Sequence, residues 1–303
     1  MTPLKGNKFL VTGGAGFIGS HICEELVRQK KQVVVLDNVF RFLNFRGWYN
    51  NKFCQYVEAD VTRFEEIRPF FDGVDVVFHE ACSKCTVCRE DPVKDLMTNA
   101  LGSYNVFEAA RQAGVKKVIH ASTGSVNGGA LKSFYGVSKQ AGENYLKAFR
   151  EYYSDFRFTA IRYHHVYGPR QNADPQTGGV IPIFITQMLK DEPITIHGDG
   201  EQQRHFTYVK DVVDFNFRCE SEFHGEFIDL AEHTPTTLNQ LVAALSSVTG
   251  KKPIAVFKSA RAGDIKTFNV GRSLLPDCGH EEYDDRFRRN LKEMVEWYAS
   301  QKT

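Results

Sequence analysis

Residues 7–38 read NKFLVTGGAGFIGSHICEELVRQKKQVVVLDN, and the order of their parts decides the fold. Phe9, Leu10 and Val11 end a buried strand, and Gly13, Gly16 and Gly19 follow at the spacing G-x-x-G-x-x-G. A helix comes next, and residues 33–36 make a second strand with Asp37 at its carboxyl end. Gly13 permits a tight turn, Gly16 lets the main chain approach a pyrophosphate, and Gly19 lets the helix pack closely on the sheet. The helix N-terminus offers free N–H groups and a positive dipole end to that anion. Asp37 can accept hydrogen bonds from adenosine ribose hydroxyls and would repel a 2′-phosphate. The stretch therefore predicts a dinucleotide site that takes NAD in preference to NADP, with Arg41 the one nearby base that could oppose this.

Outward from this stretch, strand continues to alternate with helix. Strands are expected at 55–57, 74–79, 117–121 and 158–161, and helices at 62–72, 92–113 and 135–153, with Gly114 ending the second of these. The fourth strand is nearly all apolar, as a parallel strand buried on both faces should be. The pattern predicts an α/β protein with a Rossmann-type, doubly wound parallel sheet. Beyond residue 165, Gly168-Pro169, Gly178-Gly179 and Gly198-Asp199-Gly200 punctuate the chain, and helices are expected near 180–190, 208–221, 237–249 and 285–300. This gives a dinucleotide domain over 1–165 and a smaller α/β substrate domain over 166–303, some of whose segments return to the first. The charged run 281–292 reads as a solvated helix face.

The chain has 303 residues, 42% hydrophobic and 25% charged, with 38 basic against 37 acidic side chains and a net charge of +1. Such a balance carries no electrostatic footprint for nucleic acid or an anionic membrane, so the expected partner is a small molecule. No basic-then-apolar leader opens the sequence, and no apolar run approaches the roughly 18 residues of a membrane span. Seven cysteines, an odd number, argue for reduced thiols and a cytoplasmic setting.

The fifth strand runs into Ala121-Ser122-Thr123-Gly124-Ser125, and Tyr135-Gly136-Val137-Ser138-Lys139 opens the next helix. A Tyr and a Lys four residues apart share one helical face. A nearby ammonium and a cationic nicotinamide would lower the phenol's pKa and make it a base for a sugar hydroxyl, with Thr123 able to share the proton. Cys82, Cys85 and Cys88 form C-x-x-C-x-x-C, but no fourth ligand has convincing spacing, so free thiols beside the cofactor are expected and no metal. His164 and His165 are not read as a metal pair, because adjacent strand residues point to opposite faces.

With these stretches in view, the sequence resembles the extended short-chain dehydrogenase/reductase family, and within it the NAD-dependent nucleotide-sugar epimerases and dehydratases, over nearly its whole length. The resemblance is carried by TGGAGFIGS, LDN, ADV, VFHEAC (where the family usually has VFHLAA), TNALGSYNVFEAARQAGVKKVIHAS, YGVSK, IRYHHVYGPRQ, GGVIPIFI, ITIHGDGEQQRHFTYVKDV and RAGD. It implies a cofactor site made by Gly13, Gly16, Phe17, Ile18 and Gly19 at the turn, Asp37 and Asn38 at the ribose, and Asp60 and Val61 at the adenine. Ala81, Cys82, Lys84, Asn99 and Ser122, with Tyr163 and Val166, would lie on the ribose and nicotinamide side. Thr123, Tyr135 and Lys139 would be the catalytic set. Lys84, Thr123, Ser125, His165, Val180, Arg204, Arg261, Asp264 and Phe268 would meet the nucleotide sugar, and the arginines suit phosphate because their planar fork pairs with it bidentately.

What the resemblance implies about activity is 4-epimerisation of a nucleotide sugar, UDP-linked in most of the family, through transient oxidation at C4 to a 4-keto sugar. It also implies a homodimer formed through helices 92–113 and 135–153. Dehydratases of the family carry an Asp-Glu pair after the active-site hydroxyl, and the decarboxylases tend to carry a Glu there; this chain has Gly124-Ser125. Asn127 stands where Tyr is common, and the 123–135 segment is about half its usual length. A 4-keto-sugar reductase would need exchangeable NADPH, against which Asp37 speaks. A silent NAD-sensing protein would have no need of Tyr135, Lys139 and Thr123 together.

Overall fold

The computed structural model describes residues 2–39, 50–127, 133–260, 266–267, 270–271 and 273–301. Arg41, Arg261, Asp264 and Phe268 lie outside the described residues. Two compact units divide the chain, Met1–Tyr163 with Lys210–Asp229, and His164–Val209 with Leu230–Thr303.

The first unit is built on β1 (Lys8–Thr12), α1 (Phe17–Arg28), β2 (Gln32–Asp37), β3 (Cys54–Glu58), the short α2 (Phe64–Ile67), β4 (Val76–His79), α3 (Pro92–Leu96), α4 (Gly102–Gln112), β5 (Lys117–Thr123), α5 (Phe134–Tyr152) and β6 (Phe158–Tyr163). After an excursion through the second unit the chain returns as α7 (Val209–Arg218) and β9 (Glu226–Leu230), α6 belonging to the second unit. The strands make a seven-stranded sheet in the order β3-β2-β1-β4-β5-β6-β9. The pairs β1–β2, β1–β4, β2–β3, β4–β5 and β5–β6 are all parallel. This is the doubly wound order, in which the chain reverses direction across the sheet at β1 and β4 and ligands meet the strands' carboxyl ends. Val33, Val34, Val35 and Leu36 are all buried, as are Val76 to His79 and every residue of β5. Both faces of the sheet are thus covered. On one face Phe107, Phe149, Phe156 and Phe158 pack with Leu10, Val34, Val77 and Val118 in a continuous core.

The second unit contains α6 (Val180–Leu189), β7 (Ile194–His197), β8 (Gln203–Arg204), β10 (Thr236–Thr237), α8 (Leu238–Thr249), β11 (Ala255–Lys258) and α9 (Gly279–Ser300). β7 pairs with β11 in parallel and β8 with β10 antiparallel. Thr237 and Gln240 form a capping box that starts α8, and Gly250, at φ 69°, ends it.

Several elements differ from the sequence reading. The expected helix 92–113 is α3 and α4 joined by a π-helical stretch, Met97–Leu101. β4 begins two residues late because the Asp75 carboxylate turns back to accept from the Asn7 and Lys8 amides. The helix over 62–72 is one α turn followed by a 3-10 turn over Arg68–Phe71, where Pro69 removes a donor. β9 had no sequence signal strong enough to be read. α9 starts at Gly279 and buries Tyr283, Phe287, Leu291 and Met294; the run 281–292 is therefore amphipathic and not simply solvated. The strand before His164 ends at Tyr163, and His165 sits at φ 40°, so the strand argument for that pair does not apply.

Candidate active site

The glycine turn is shaped by close approach. Gly13, at φ 65°, donates its amide to the Leu36 carbonyl at 2.8 Å, and a Cβ there would lie 2.6 Å from the Ala81 nitrogen. A Cβ on Gly19 would come within 2.3 Å of the Gly13 oxygen. Gly16 differs: a Cβ there would meet only the Gly13 main chain, nearest at 3.0 Å. Gly16 is also the N-cap of α1 and no side chain caps it, and Phe17 and Ile18 are half-buried in the first turn. The Asp37 carboxylate braces the turn by accepting from the Ala15 amide at 3.0 Å, and its other oxygen accepts from the Val39 amide at 3.0 Å. The Asn38 amide donates to Asp60 at 2.9 Å, and the Thr62 amide donates to the other Asp60 oxygen at 2.9 Å. Burial pushes the Asp60 carboxyl up, but these hydrogen bonds outweigh it and hold it below its usual range. Val61 beside it is buried. An uncapped helix start, a glycine with room in front of it and an acid at the end of β2 are the donor and acceptor set that a dinucleotide requires.

The catalytic candidates gather at the carboxyl ends of β5 and β6. Thr123 closes β5, lies opposite Tyr163 in the β5–β6 register, and its hydroxyl lies close enough to Tyr135 on α5 to favour the phenolate. Thr123 Oγ1 also accepts the Ser125 amide at 3.2 Å, which fixes the 3-10 turn Gly124–Val126. Lys139, 2% exposed, donates Nζ to the Ala121 carbonyl at 2.6 Å. Ser133 caps α5 by accepting the Gly136 amide at 3.0 Å. Burial raises the Tyr135 phenol above its ordinary value, nearby Cys82 adds to this, and Thr123 opposes it. Burial thus favours the protonated phenol in the protein alone, whereas the expected lowering by Lys139 and a cationic nicotinamide concerns the cofactor-bound state.

Two residues expected to line the cofactor are occupied in bracing the site. Asn99, in the π-helical stretch and fully buried, accepts the Ser83 amide at 2.8 Å and donates to Asp95 at 2.9 Å and Ser138 at 3.1 Å. It joins the loop after β4 to α5. The Ser122 hydroxyl donates to Glu143 at 2.6 Å, and Glu143 holds Arg162 through two bonds of 2.8 and 2.7 Å. Arg162 Nη1 donates to Asn127 at 2.9 Å, and Asn127 in turn donates to Asp229. Ala81 is half-buried, and Cys82 and Lys84 are exposed.

The sequence reading named no role for Glu80, which follows β4 and is 9% exposed. Its carboxylate accepts from Tyr163 Oη at 2.8 Å, and Tyr163 Oη accepts from Asn216 Nδ2 at 2.8 Å. A single acid within the apolar run VFHEAC was the available signal. The links among Glu143, Arg162 and Asp229 had none, since their partners are far apart in the chain.

In the second unit, His165 lies close enough to Arg204 for the guanidinium to disfavour its protonation, although burial is the larger cause of its depressed pKa. Arg204 stands opposite Thr236 in the β8–β10 pair and is half-buried, as are Val166 and Val180. The seven cysteines are all free. Cys88 donates its thiol to the Cys85 carbonyl at 2.9 Å, and no group of three metal-ligating side chains occurs among the described residues. No helix among them is long and apolar enough to cross a membrane.

Comparison with known proteins gives this geometry its class. Residues 9–226 match the NAD dependent epimerase/dehydratase family. A putative UDP-glucose 4-epimerase of Methanocaldococcus jannaschii is 32% identical, over 95% of this chain and 97% of that protein. Among solved structures, the UDP-glucose 4-epimerase of Thermotoga maritima, determined with UDP-glucose, is 31% identical with a TM-score of 0.84, covering 98% of this chain and 100% of that one. The UDP-N-acetylglucosamine 4-epimerase of Methanobrevibacter ruminantium, in complex with UDP-N-acetylmuramic acid, is 29% identical with a TM-score of 0.86 at the same coverage. The chain belongs to the NAD dependent epimerase/dehydratase family. Within that class it is an NAD-dependent epimerase-type enzyme with a Rossmann-type sheet.

Proposed function

We propose that the protein is a nucleotide-sugar 4-epimerase whose substrate is a UDP-hexose, of the UDP-glucose/UDP-galactose or UDP-glucuronate type. The observation that carries this reading is the junction of Thr123, Tyr135 and Lys139 at the carboxyl ends of the strands. NAD, when bound, supplies reversible hydride acceptance from the sugar. Tyr135 takes the C4 hydroxyl proton and returns it, the nearby Thr123 hydroxyl can share that proton, and Lys139 ties the helix carrying Tyr135 to the end of β5. Gly124 and Ser125 present no carboxylate for elimination of water, which favours epimerisation over dehydration. His165 and Arg204 suit the diphosphate of the substrate, and Arg261, Asp264 and Phe268 enter from sequence alone. Phe268 occupies the offset after Arg261 at which bulk opposes an N-acetyl group at C2, which favours a sugar with a plain hydroxyl there.

Exposed apolar side chains on α3 and α4 (Val93, Leu96, Tyr104) and on α5 (Phe134, Val137, Tyr152) support a homodimer through these helices. Free thiols throughout support a reducing, cytoplasmic setting. The deciding experiment is incubation with UDP-, dTDP- and GDP-sugars, read by NMR for inversion at C4. No inversion with any of them, or stoichiometric loss of water by mass spectrometry, overturns the reading.

A further inference from the structure

The loop that follows β4 carries two thiols on one turn. Its start is pinned: the Asn99 side chain accepts the Ser83 amide at 2.8 Å and donates to the Ser83 carbonyl at 3.2 Å, and the same Asn99 nitrogen donates to Ser138 of α5 at 3.1 Å. Its end is pinned as well, because the Asp91 carboxylate accepts the Lys94 amide at 2.8 Å and so caps α3. Between these points the Lys84 carbonyl accepts the Val87 amide at 2.9 Å and the Cys88 amide at 3.3 Å, and the Val87 carbonyl accepts the Glu90 and Asp91 amides at 3.0 and 2.9 Å. Cys85 and Cys88 therefore stand three residues apart on a helical turn. The Cys88 thiol donates to the Cys85 carbonyl at 2.9 Å, so it already points back at Cys85. In α-helical geometry residues three apart have Cα atoms about 5 Å from each other, inside the roughly 4.4–6.8 Å that a disulfide spans. Closure needs the Cys88 sulfur to turn from the Cys85 oxygen to the Cys85 sulfur, within a main chain held at both ends.

Access divides the roles. Cys85 is exposed, whereas Cys88 is 2% exposed. Cys82 is exposed too, but it stands before Ser83 and outside the turn. We propose that Cys85 and Cys88 are a redox-active dithiol that a small-molecule disulfide converts to a Cys85–Cys88 disulfide, with Cys85 the entry thiol and Cys88 the resolving one. The Cys85 sulfur, on losing its proton, attacks one sulfur of the reagent; a Cys85–sulfur bond forms, the reagent's S–S bond breaks, and the first thiol leaves with a proton. Cys88 then loses its proton and attacks the Cys85 sulfur, the protein S–S bond forms, and the second thiol leaves. The protein gives up two protons and two electrons, and the reagent becomes two thiols. Partial enclosure raises the Cys85 thiol above its ordinary 9.0, with Cys88 adding to this and Arg89 opposing it. Exchange is therefore slow at neutral pH, yet no thiolate is stabilised that would hold the pair reduced.

The test needs no sugar substrate and does not rest on the epimerase reading. The whole reduced protein is incubated with glutathione disulfide under native conditions, quenched by alkylation and digested with trypsin. Cleavage after Lys84 and Arg89 releases residues 85–89, which contain Cys85 and Cys88 and no other thiol. That peptide should lose two hydrogens and take no alkyl group, and dithiothreitol should restore both thiols. The rate should rise about tenfold per pH unit below the thiol pKa, as the thiolate fraction does. Cys88→Ser, whose hydroxyl can still donate to the Cys85 carbonyl, should stop at the mixed disulfide and carry one glutathione on Cys85. Cys82→Ser should behave as the wild type, and Cys85→Ser should take no glutathione on Cys88. The proposal is overturned if the 85–89 peptide keeps two free thiols, if it is linked to the peptide holding Cys82, if the disulfide forms only in urea, or if Cys88→Ser gathers no glutathione on Cys85. Should a serine variant fail to fold, the wild-type peptide still decides.

Discussion

Lys139 donates its ammonium to the carbonyl oxygen of Ala121 at 2.6 Å, so the helix that carries Tyr135 is tied to the strand that carries Thr123. The lysine is as much a fastening as a charge. Lys139→Met should leave that oxygen buried without its donor and destabilise the fold by about 1–3 kcal/mol, a cost that urea unfolding will report alongside the loss of turnover. A variant as stable as the wild type would show that the bond contributes nothing.

Tyr135→Phe removes only a hydroxyl, so the fold and the bound NAD should persist. General acid–base groups contribute about 10²–10⁴ in rate. Circular dichroism and cofactor retention should match the wild type while kcat falls into that range; retention of more than about a tenth of the activity would mean that another base is present.

Two glycines in one turn should behave differently. Gly19→Ala would drive a methyl to within 2.3 Å of the Gly13 oxygen, whereas at Gly16 the nearest atom is 3.0 Å away and the rest is open. Gly19→Ala should therefore lower Tm by several degrees, a shift that about 1–3 kcal/mol of overpacking would produce. Gly16→Ala should fold nearly as well yet bind NAD at least about tenfold more weakly, because the methyl takes ground the pyrophosphate needs. Calorimetry on both variants separates the two outcomes.

Selectivity between cofactors should follow Asp37. Removing the carboxylate in Asp37→Ser takes away the repulsion of a 2′-phosphate and also the acceptor of the Ala15 amide. Fluorescence titration should show the NAD/NADP affinity ratio falling by about tenfold or more; equal binding of both cofactors by the wild type would refute the assignment, and Arg41 would then be the residue to substitute.

Three buried groups of the first unit contribute to acid stability with known sign. His79, held by Thr12 at 2.7 Å and Ser103 at 2.9 Å, is depressed to about 3 by burial first and Lys139 second, and His120 beside it is depressed for the same reasons. Each takes a proton only when unfolded, so each costs about 1.4 kcal/mol of stability per pH unit as pH falls below 6.5. Glu80 has the opposite sign. Its folded pKa lies above 4.5, so between about 7 and 4.5 the folded state holds a proton that the unfolded chain lacks, and stability gains as pH falls. Together the three should lose about 1.4 kcal/mol per unit between 6.5 and 4.5. Glu80→Gln should steepen the loss of stability across this range by about 1.4 kcal/mol per pH unit in chemical denaturation, and an unchanged slope would contradict the sign.

Where a feature depends on neighbours in sequence, it could be read before any coordinates. The turn at Gly13, Gly16 and Gly19, the strand ending at Asp37, and Tyr135 with Lys139 one turn later are all set by local spacing. What escaped was long-range. β9 is a five-residue strand with two acids, and its place beside β6 comes from the sheet edge it covers. The π-helical stretch is invisible in a helical apolar pattern, because the demand of Asn99 on Ser83 and Ser138 is tertiary. The reading of residues 281–292 failed because charge outnumbers apolar side chains there, yet Tyr283, Phe287 and Leu291 recur at helical spacing and are buried. That Lys139 also fastens α5 to β5 through the Ala121 carbonyl had no signal in the spacing of Tyr135 and Lys139, because the partner comes from another element.

The return of Lys210–Asp229 to the first unit has a consequence for the chain during its synthesis. β6 is left with a bare edge, and Tyr163 without Asn216, until α7 and β9 have been made. By then the ribosome has already produced all of His164–Val209, a large part of the other unit. The N-terminal part therefore cannot finish folding first and then wait. Its last strand comes after an interruption, which makes the two units co-dependent in time and rules out swapping the second unit between relatives with a single splice.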